Sequence, residues 1–147
     1  MAKAKESDGD RASQKIMEDE YKYEIYFYQT KDGKKPVEEY IMGLAAKKET
    51  DKTARIHLNK IQDYINVLRK IGLSAGEPYV KIIEKDLFEL RPLNDRIFFA
   101  YWTGESFVLL HHFVKKTQKT PPREIKKAKS CLEDMKRSIP VMPNNGL

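Results

Sequence analysis

Three short blocks of this sequence concentrate residues able to hold a phosphodiester and move protons around it. Arg91 closes Leu87-Phe88-Glu89-Leu90-Arg91, and Arg96 opens a second apolar run that ends at Trp102. His111 and His112 end a third run and are followed at once by Lys115, Lys116, Thr117, Gln118, Lys119 and Thr120. Arginine suits phosphate because its planar fork donates to two oxygens and keeps its charge. Histidine titrates in the range where general acid–base chemistry runs. The lysine–threonine run leads to Pro121-Pro122, a helix opening whose free N–H groups attract anions.

Period-two alternation constrains which of these residues work together. Glu89 and Arg91 share one strand face while Phe88 and Leu90 point the other way, which leaves Arg91 outside the core. Arg91 is then either a phosphate clamp or half of a surface ion pair with Glu89 or Asp95. Arg96 and Tyr101 fall on opposite faces of a regular strand, and Tyr101 also reads as a ring packed under a helix. Neighbours in sequence, His111 and His112 point to opposite faces, so one at most serves the site. His57 lies beside the apolar stripe of a helix and reads as a boundary residue with no role.

Other chemistries lack their residues. There is no P-loop, no dinucleotide-binding glycine turn, no Gly-x-Ser-x-Gly and no His-Glu-x-x-His. The strands lack the paired carboxylates of a two-metal nuclease. The one cysteine, Cys131, forms no internal disulfide and belongs to no zinc-spaced cluster, which suits a reducing cytoplasm.

The elements that must position these groups follow from hydrophobic spacing. Tyr23 to Tyr28 is rich in aromatic and β-branched residues and predicts an opening strand, with a turn at Lys31-Asp32-Gly33. After Pro36, the residues Val37, Tyr40, Ile41, Leu44 and Ala45 line one helical face. Asp51 caps a second helix with Ala54, Leu58, Ile61, Ile65 and Leu68 on one stripe and Gly72 at its end. Beyond the loop from Gly72 to Pro78, three strands are expected at Leu87–Arg91, Arg96–Trp102 and Phe107–Val114, joined by short turns. Thr120 is placed to cap a last helix with Ile125, Ala128, Leu132 and Met135 inward. The order β-α-α-β-β-β-α predicts an α+β domain over residues 21–138: a four-stranded, mainly antiparallel sheet with the helical hairpin on one face and the C-terminal helix nearby. Residues 1–20 and 139–147 read as flexible tails.

Composition agrees with a single charged domain. The 147 residues are 40% hydrophobic and 34% charged, with no run long enough to span a bilayer and no signal segment. The net charge is +6. Between His111 and Arg137, nine lysines and arginines face only Glu124, Glu133 and Asp134, so this stretch carries the whole excess. A polyanion is the natural partner of such a patch, although a merely solvated helix face gives the same composition.

The blocks Asp86 to Arg91, Arg96 to Tyr101 and Leu109 to Pro121 resemble the phage-derived branch of the RelE/HigB toxins, within the RelE/ParE superfamily of type II toxin–antitoxin systems. The likeness extends from Tyr23 to Arg137. It implies a compact α+β fold, a cognate helix-turn-helix antitoxin, and endonuclease action on mRNA at the ribosome, inhibiting translation without cofactor or metal. Arg91 and Arg96 would hold the phosphate, with His111, Lys115 or Lys116 moving protons. Tyr101 and Phe113 would stack bases, and Thr117, Lys119, Arg123, Lys126 and Lys127 would line the RNA path. The chain departs from the family pattern at His112, where relatives more often have a small residue, so the reactive histidine is left open. Two other functions remain: RNA or ribosome binding without catalysis, and ParE-like inhibition of gyrase.

Overall fold

The computed structural model describes residues 21–137, and the two expected tails lie outside them. Its elements are β1 (Glu24–Phe27), α1 (Pro36–Lys47), α2 (Lys52–Ile71), a 3-10 turn (Gly72–Ala75), β2 (Val80–Glu84), β3 (Leu87–Leu90), β4 (Asp95–Thr103), β5 (Ser106–Val114) and α3 (Pro122–Arg137). The helices form where apolar spacing and capping chemistry coincide. Pro36 opens α1, and the Asp51 carboxylate accepts the Ala54 N–H at 3.1 Å to start α2. All five expected stripe residues of α2 are buried. Gly72 ends α2 with φ at 59°, and a β-carbon there would sit 2.8 Å from the Tyr23 ring, so glycine is required on two counts.

The α+β class holds, but the sheet has five strands instead of four, in the order β1-β5-β4-β3-β2. It is mixed, because β1 runs parallel to β5 while the other pairs are antiparallel. The extra strand, β2, is an edge with Lys81, Ile82 and Glu84 exposed and a register shift between Ile82 and Glu84. An irregular, solvated edge lacks the alternation that marks a strand in sequence.

Two cores flank the sheet. One face buries Ile25, Phe88, Leu90, Ile97, Phe99, Phe107 and Leu109 against Val37, Ile41, Leu58, Ile61, Ile65 and Leu68 of the α1–α2 hairpin. The other buries Leu87, Phe98, Ala100, Val108 and Leu110 against Ala128 and Leu132 of α3. The C-terminal helix therefore covers the face opposite the hairpin, giving three layers. The Tyr28 hydroxyl fastens α3 to the end of β1 by donating to Asp134 at 2.5 Å.

Candidate phosphate-binding site

The face beneath α3 carries the charged residues, and strand pairing decides which of them meet. Glu89 and Leu87 point toward α3 while Phe88 and Leu90 point into the hairpin core, as alternation requires. Lys81 lies opposite Glu89 in the β2–β3 ladder. Leu90 pairs with Ile97, so the next positions outward on the two strands are Arg91 and Arg96.

Glu89 is completely buried, although it is a carboxylate in an otherwise apolar strand. Its Oε2 accepts the Thr120 hydroxyl at 3.1 Å, and its Oε1 lies 3.5 Å from Arg91 Nε, close enough for ion pairing but outside hydrogen-bond geometry. Burial pushes its carboxyl above the usual carboxylate range, against the opposing pull of the Thr120 hydroxyl and of Arg91, Arg96 and Lys81. Arg91 is one-fifth exposed and also lies 3.8 Å from Glu77. The expected pairing of Arg91 with Glu89 is thus present, and that with Asp95 is not.

Arg96 is 6% exposed. Its Nη1 donates to the carbonyls of Leu93 and Asp95, both at 2.8 Å. Leu93 adopts φ of 54°, a left-handed conformation that costs a leucine about 1 kcal/mol or more and is kept only where its surroundings require it. The Leu93 carbonyl is fixed on the guanidinium in this conformation. Burial, and then the neighbouring Arg91 charge, lowers the Arg96 pKa. Glu89 Oε1, Arg91 Nε and Arg96 Nε are buried with no hydrogen-bond partner among the described residues. Two buried guanidinium donors without hydrogen-bond partners are groups that a phosphate oxygen would satisfy.

His111 reaches the same face because β5 carries a bulge: Phe98 pairs with His111 but Phe99 pairs with Leu109, so Leu110 is the extra residue. His111 Nε2 lies 2.7 Å from Glu124 Oε1 on the first turn of α3, and its ring lies parallel to Phe98 with centroids 6.0 Å apart. Phe113 also stacks with Phe98, at 5.8 Å, and stands beside Arg96, its partner across the ladder. A carboxylate bonded to an imidazole fixes its tautomer and orientation. The imidazole Nδ1 has no hydrogen-bond partner among the described residues.

The remaining expected residues divide. Lys115 continues the β5 register, its N–H donating to the Asn94 carbonyl at 2.7 Å. Lys116, Thr117 and Lys119 are exposed on the strap between β5 and α3, and the Thr117 hydroxyl is taken up locally by the Lys119 carbonyl. Arg123, Lys126 and Lys127 are exposed on α3. Thr120 does not cap α3. The helix starts at Pro122 with the Pro121 carbonyl accepting the first N–H groups, while the Thr120 side chain is committed to Glu89. Tyr101 does not join the site either: it lies at the far end of β4 on the hairpin face, packed against Phe107 and Phe88.

A second polar cluster sits on the hairpin side. Asp95 is fully buried, and its Oδ1 accepts from the Tyr40 hydroxyl at 2.7 Å and from His112 Nε2 at 2.8 Å. Its Oδ2 lies 2.7 Å from His57 Nδ1. Tyr40 and His112 stack with centroids 3.6 Å apart. Burial pushes the Asp95 carboxyl up, but the bonds from His112, His57 and Tyr40 outweigh it and hold the group below its usual value. His57 is therefore not an idle boundary residue.

Sequence reasoning passed over Glu89 as a site residue, along with Lys81, Glu124, Asp95 and His57. The signal for Glu89 was available, since a lone carboxylate inside Leu-Phe-Glu-Leu must find partners if the strand is central. His57 and Asp95 lie 38 residues apart in the chain, so their pairing carries no local signal. Among the described residues, no group of three or more His, Cys, Asp or Glu side chains is placed to hold a metal ion, and no helix is long and apolar enough to cross a membrane.

No curated protein matches the chain. Residues 48–133, more than half of it and including both arginines, His111 and Glu124, match the family described as phage derived protein Gp49-like (DUF891). By this match over more than half of its length, the chain belongs to the Gp49-like family of phage-derived proteins.

Proposed function

We propose that the protein is a toxin of the RelE/HigB kind, an mRNA endonuclease that acts on ribosome-bound message and is held in check by a helix-turn-helix antitoxin. The observation that carries this reading is the Arg91–Arg96 pair, whose Nε donors are buried and unpartnered beside a buried carboxylate. Phosphate oxygens would take those donors, and the growing negative charge of a phosphorane would be stabilised most in such a water-poor setting.

The chemistry is in-line transfer within RNA. The 2′-hydroxyl gives its proton to a base and its oxygen attacks the adjacent phosphorus. The P–O5′ bond breaks, and an acid protonates the departing 5′-oxygen. Glu89, whose burial raises its carboxyl pKa and makes its carboxylate a stronger base, is suited to accept the first proton, and His111, oriented by Glu124, to supply the second. Phe113 offers a ring for a base beside the scissile phosphate, and the exposed Lys119, Arg123, Lys126 and Lys127 extend the cationic track for the flanking strand. Lys115 and Lys116 contribute charge to this track.

Incubating the protein with translating ribosomes and mapping mRNA ends tests the proposal. New 5′ ends inside ribosome-occupied message, lost in Arg96→Ala, are expected. An absence of new ends overturns the nuclease reading, and inhibition of supercoiling in their place would turn it toward gyrase.

A further inference from the structure

The Asp95 cluster and the arginine pair lie on opposite faces of the sheet, yet they meet in one peptide unit. Asp95 and Arg96 are consecutive, so the first side chain enters the hairpin layer and the second the α3 layer. The Asp95 carboxylate is gripped by Tyr40 from α1, His57 from α2 and His112 from β5. Its own carbonyl is one of the two that hold Arg96 Nη1. The other belongs to Leu93, in the turn closed by the Asp95 N–H on the Pro92 carbonyl at 2.9 Å. Among the described residues, both hydrogen bonds that aim the guanidinium therefore come from the backbone of the segment that the carboxylate anchors.

The geometry points to Asp95, with His57, His112 and Tyr40, as a positioning centre for Arg96 that sets how the phosphate site binds RNA from the far side of the sheet. This inference rests on the reading of Arg96 as a phosphate ligand. Three charge-assisted bonds hold a buried carboxylate far more rigidly than a solvated loop holds an aspartate, and removing one leaves a buried acceptor short of a donor. The turn can then relax, and the two carbonyls no longer define where Nε points. An ångström of misplacement at a guanidinium fork is enough to lose its pairing with a phosphate. His57 is the informative member. It is one-fifth exposed, it sits on a helix that the sheet separates from Arg96, and it has no route to the RNA site except through Asp95.

The test is a double-mutant cycle read by binding of a single-stranded RNA oligonucleotide, with thermal unfolding measured on every variant. His57→Ala is expected to weaken binding roughly three- to tenfold in the parent and to have no effect on binding in an Arg96→Ala background, while lowering the melting temperature equally in both. His57→Asn, whose amide nitrogen reaches where Nδ1 does, is expected to restore binding. An equal loss of affinity in both backgrounds, or no loss in either, overturns the positioning role. If Arg96→Ala itself binds RNA as tightly as the parent, the phosphate-site reading fails first and the inference falls with it. Should His57→Ala not fold, His112→Gln, which keeps a donor at the Nε2 position, is expected to bind like the parent while His112→Asn binds more weakly. Equal binding by those two variants overturns the proposal.

Discussion

His111 and His112 are adjacent in sequence and stand on opposite faces of the sheet, each bonded to a carboxylate of a different layer. His111 meets Glu124 beneath α3 and His112 meets Asp95 beneath the hairpin. The bulge at Leu110 sets this assignment, since a regular strand would place His111 on the same face as Leu109, in the hairpin layer. The two histidines should therefore fail in different ways when removed. His112→Ala is expected to cost about 2 kcal/mol of stability, because Asp95 is left buried with a missing donor, and to weaken RNA binding through Arg96 without abolishing cleavage at saturating RNA. His111→Ala should cost less and abolish cleavage. Urea unfolding together with mRNA end-mapping separates the two outcomes.

Arg96→Lys keeps the charge and removes the fork. RNA affinity should fall by roughly tenfold while the dependence of binding on salt is nearly unchanged, since the number of neutralised phosphates is preserved. Lys126→Glu with Lys127→Glu should do the reverse, flattening the salt dependence and leaving the cleavage rate at saturating RNA close to that of the parent. Fluorescence titrations at several salt concentrations distinguish these patterns.

Asp95 gives an acid-side prediction. Its folded-state pKa lies below its unfolded value, so its contribution to stability is fully present above the unfolded value of about 4 and is lost as pH falls through the folded one. The stability gap between the parent and Asp95→Asn should thus be widest near neutral pH and close below about pH 4. Denaturation curves at pH 7 and pH 3 check the sign. A gap that widened on acidification would contradict the network described for this carboxylate.

Glu89 is raised instead, so its ionisation in the folded protein is disfavoured at higher pH than in a free carboxyl. Glu89→Gln should retain RNA binding within a few fold and lose at least about 100-fold in cleavage, the usual scale for a missing proton acceptor. Single-turnover cleavage with bound RNA isolates that step from binding.

Gly72→Ala tests the packing of the hairpin on β1. A β-carbon there meets the Tyr23 ring at 2.8 Å and requires an unfavourable positive φ, so destabilisation of about 1 to 3 kcal/mol is expected. Only part of it should be recovered by Tyr23→Leu, since the backbone cost remains. The urea midpoint reports both.

The sequence by itself determined the elements whose signals are local. Asp51, the α2 stripe and Gly72 defined the long helix within a residue, because capping and three-and-four spacing act over a single turn. The central strands and their meander followed from short turns and apolar runs. Alternation also placed Glu89 with Arg91, and Arg96 apart from Tyr101. What only the tertiary structure decided depends on partners distant in the chain. Pairing β1 in parallel with β5 brings the two ends of the domain together, and no local pattern encodes it. The edge strand β2 is identified by its ladder to β3 and not by its exposed side chains. One extra residue in β5 chose His111 over His112 for the α3 face, and Thr120 turned from an expected helix cap into the donor for Glu89. Burial explains the rest: a carboxylate removed from water must collect donors or charge from whatever packs over it, which is why Asp95 recruits His57 and Glu89 takes the Thr120 hydroxyl and the Arg91 charge.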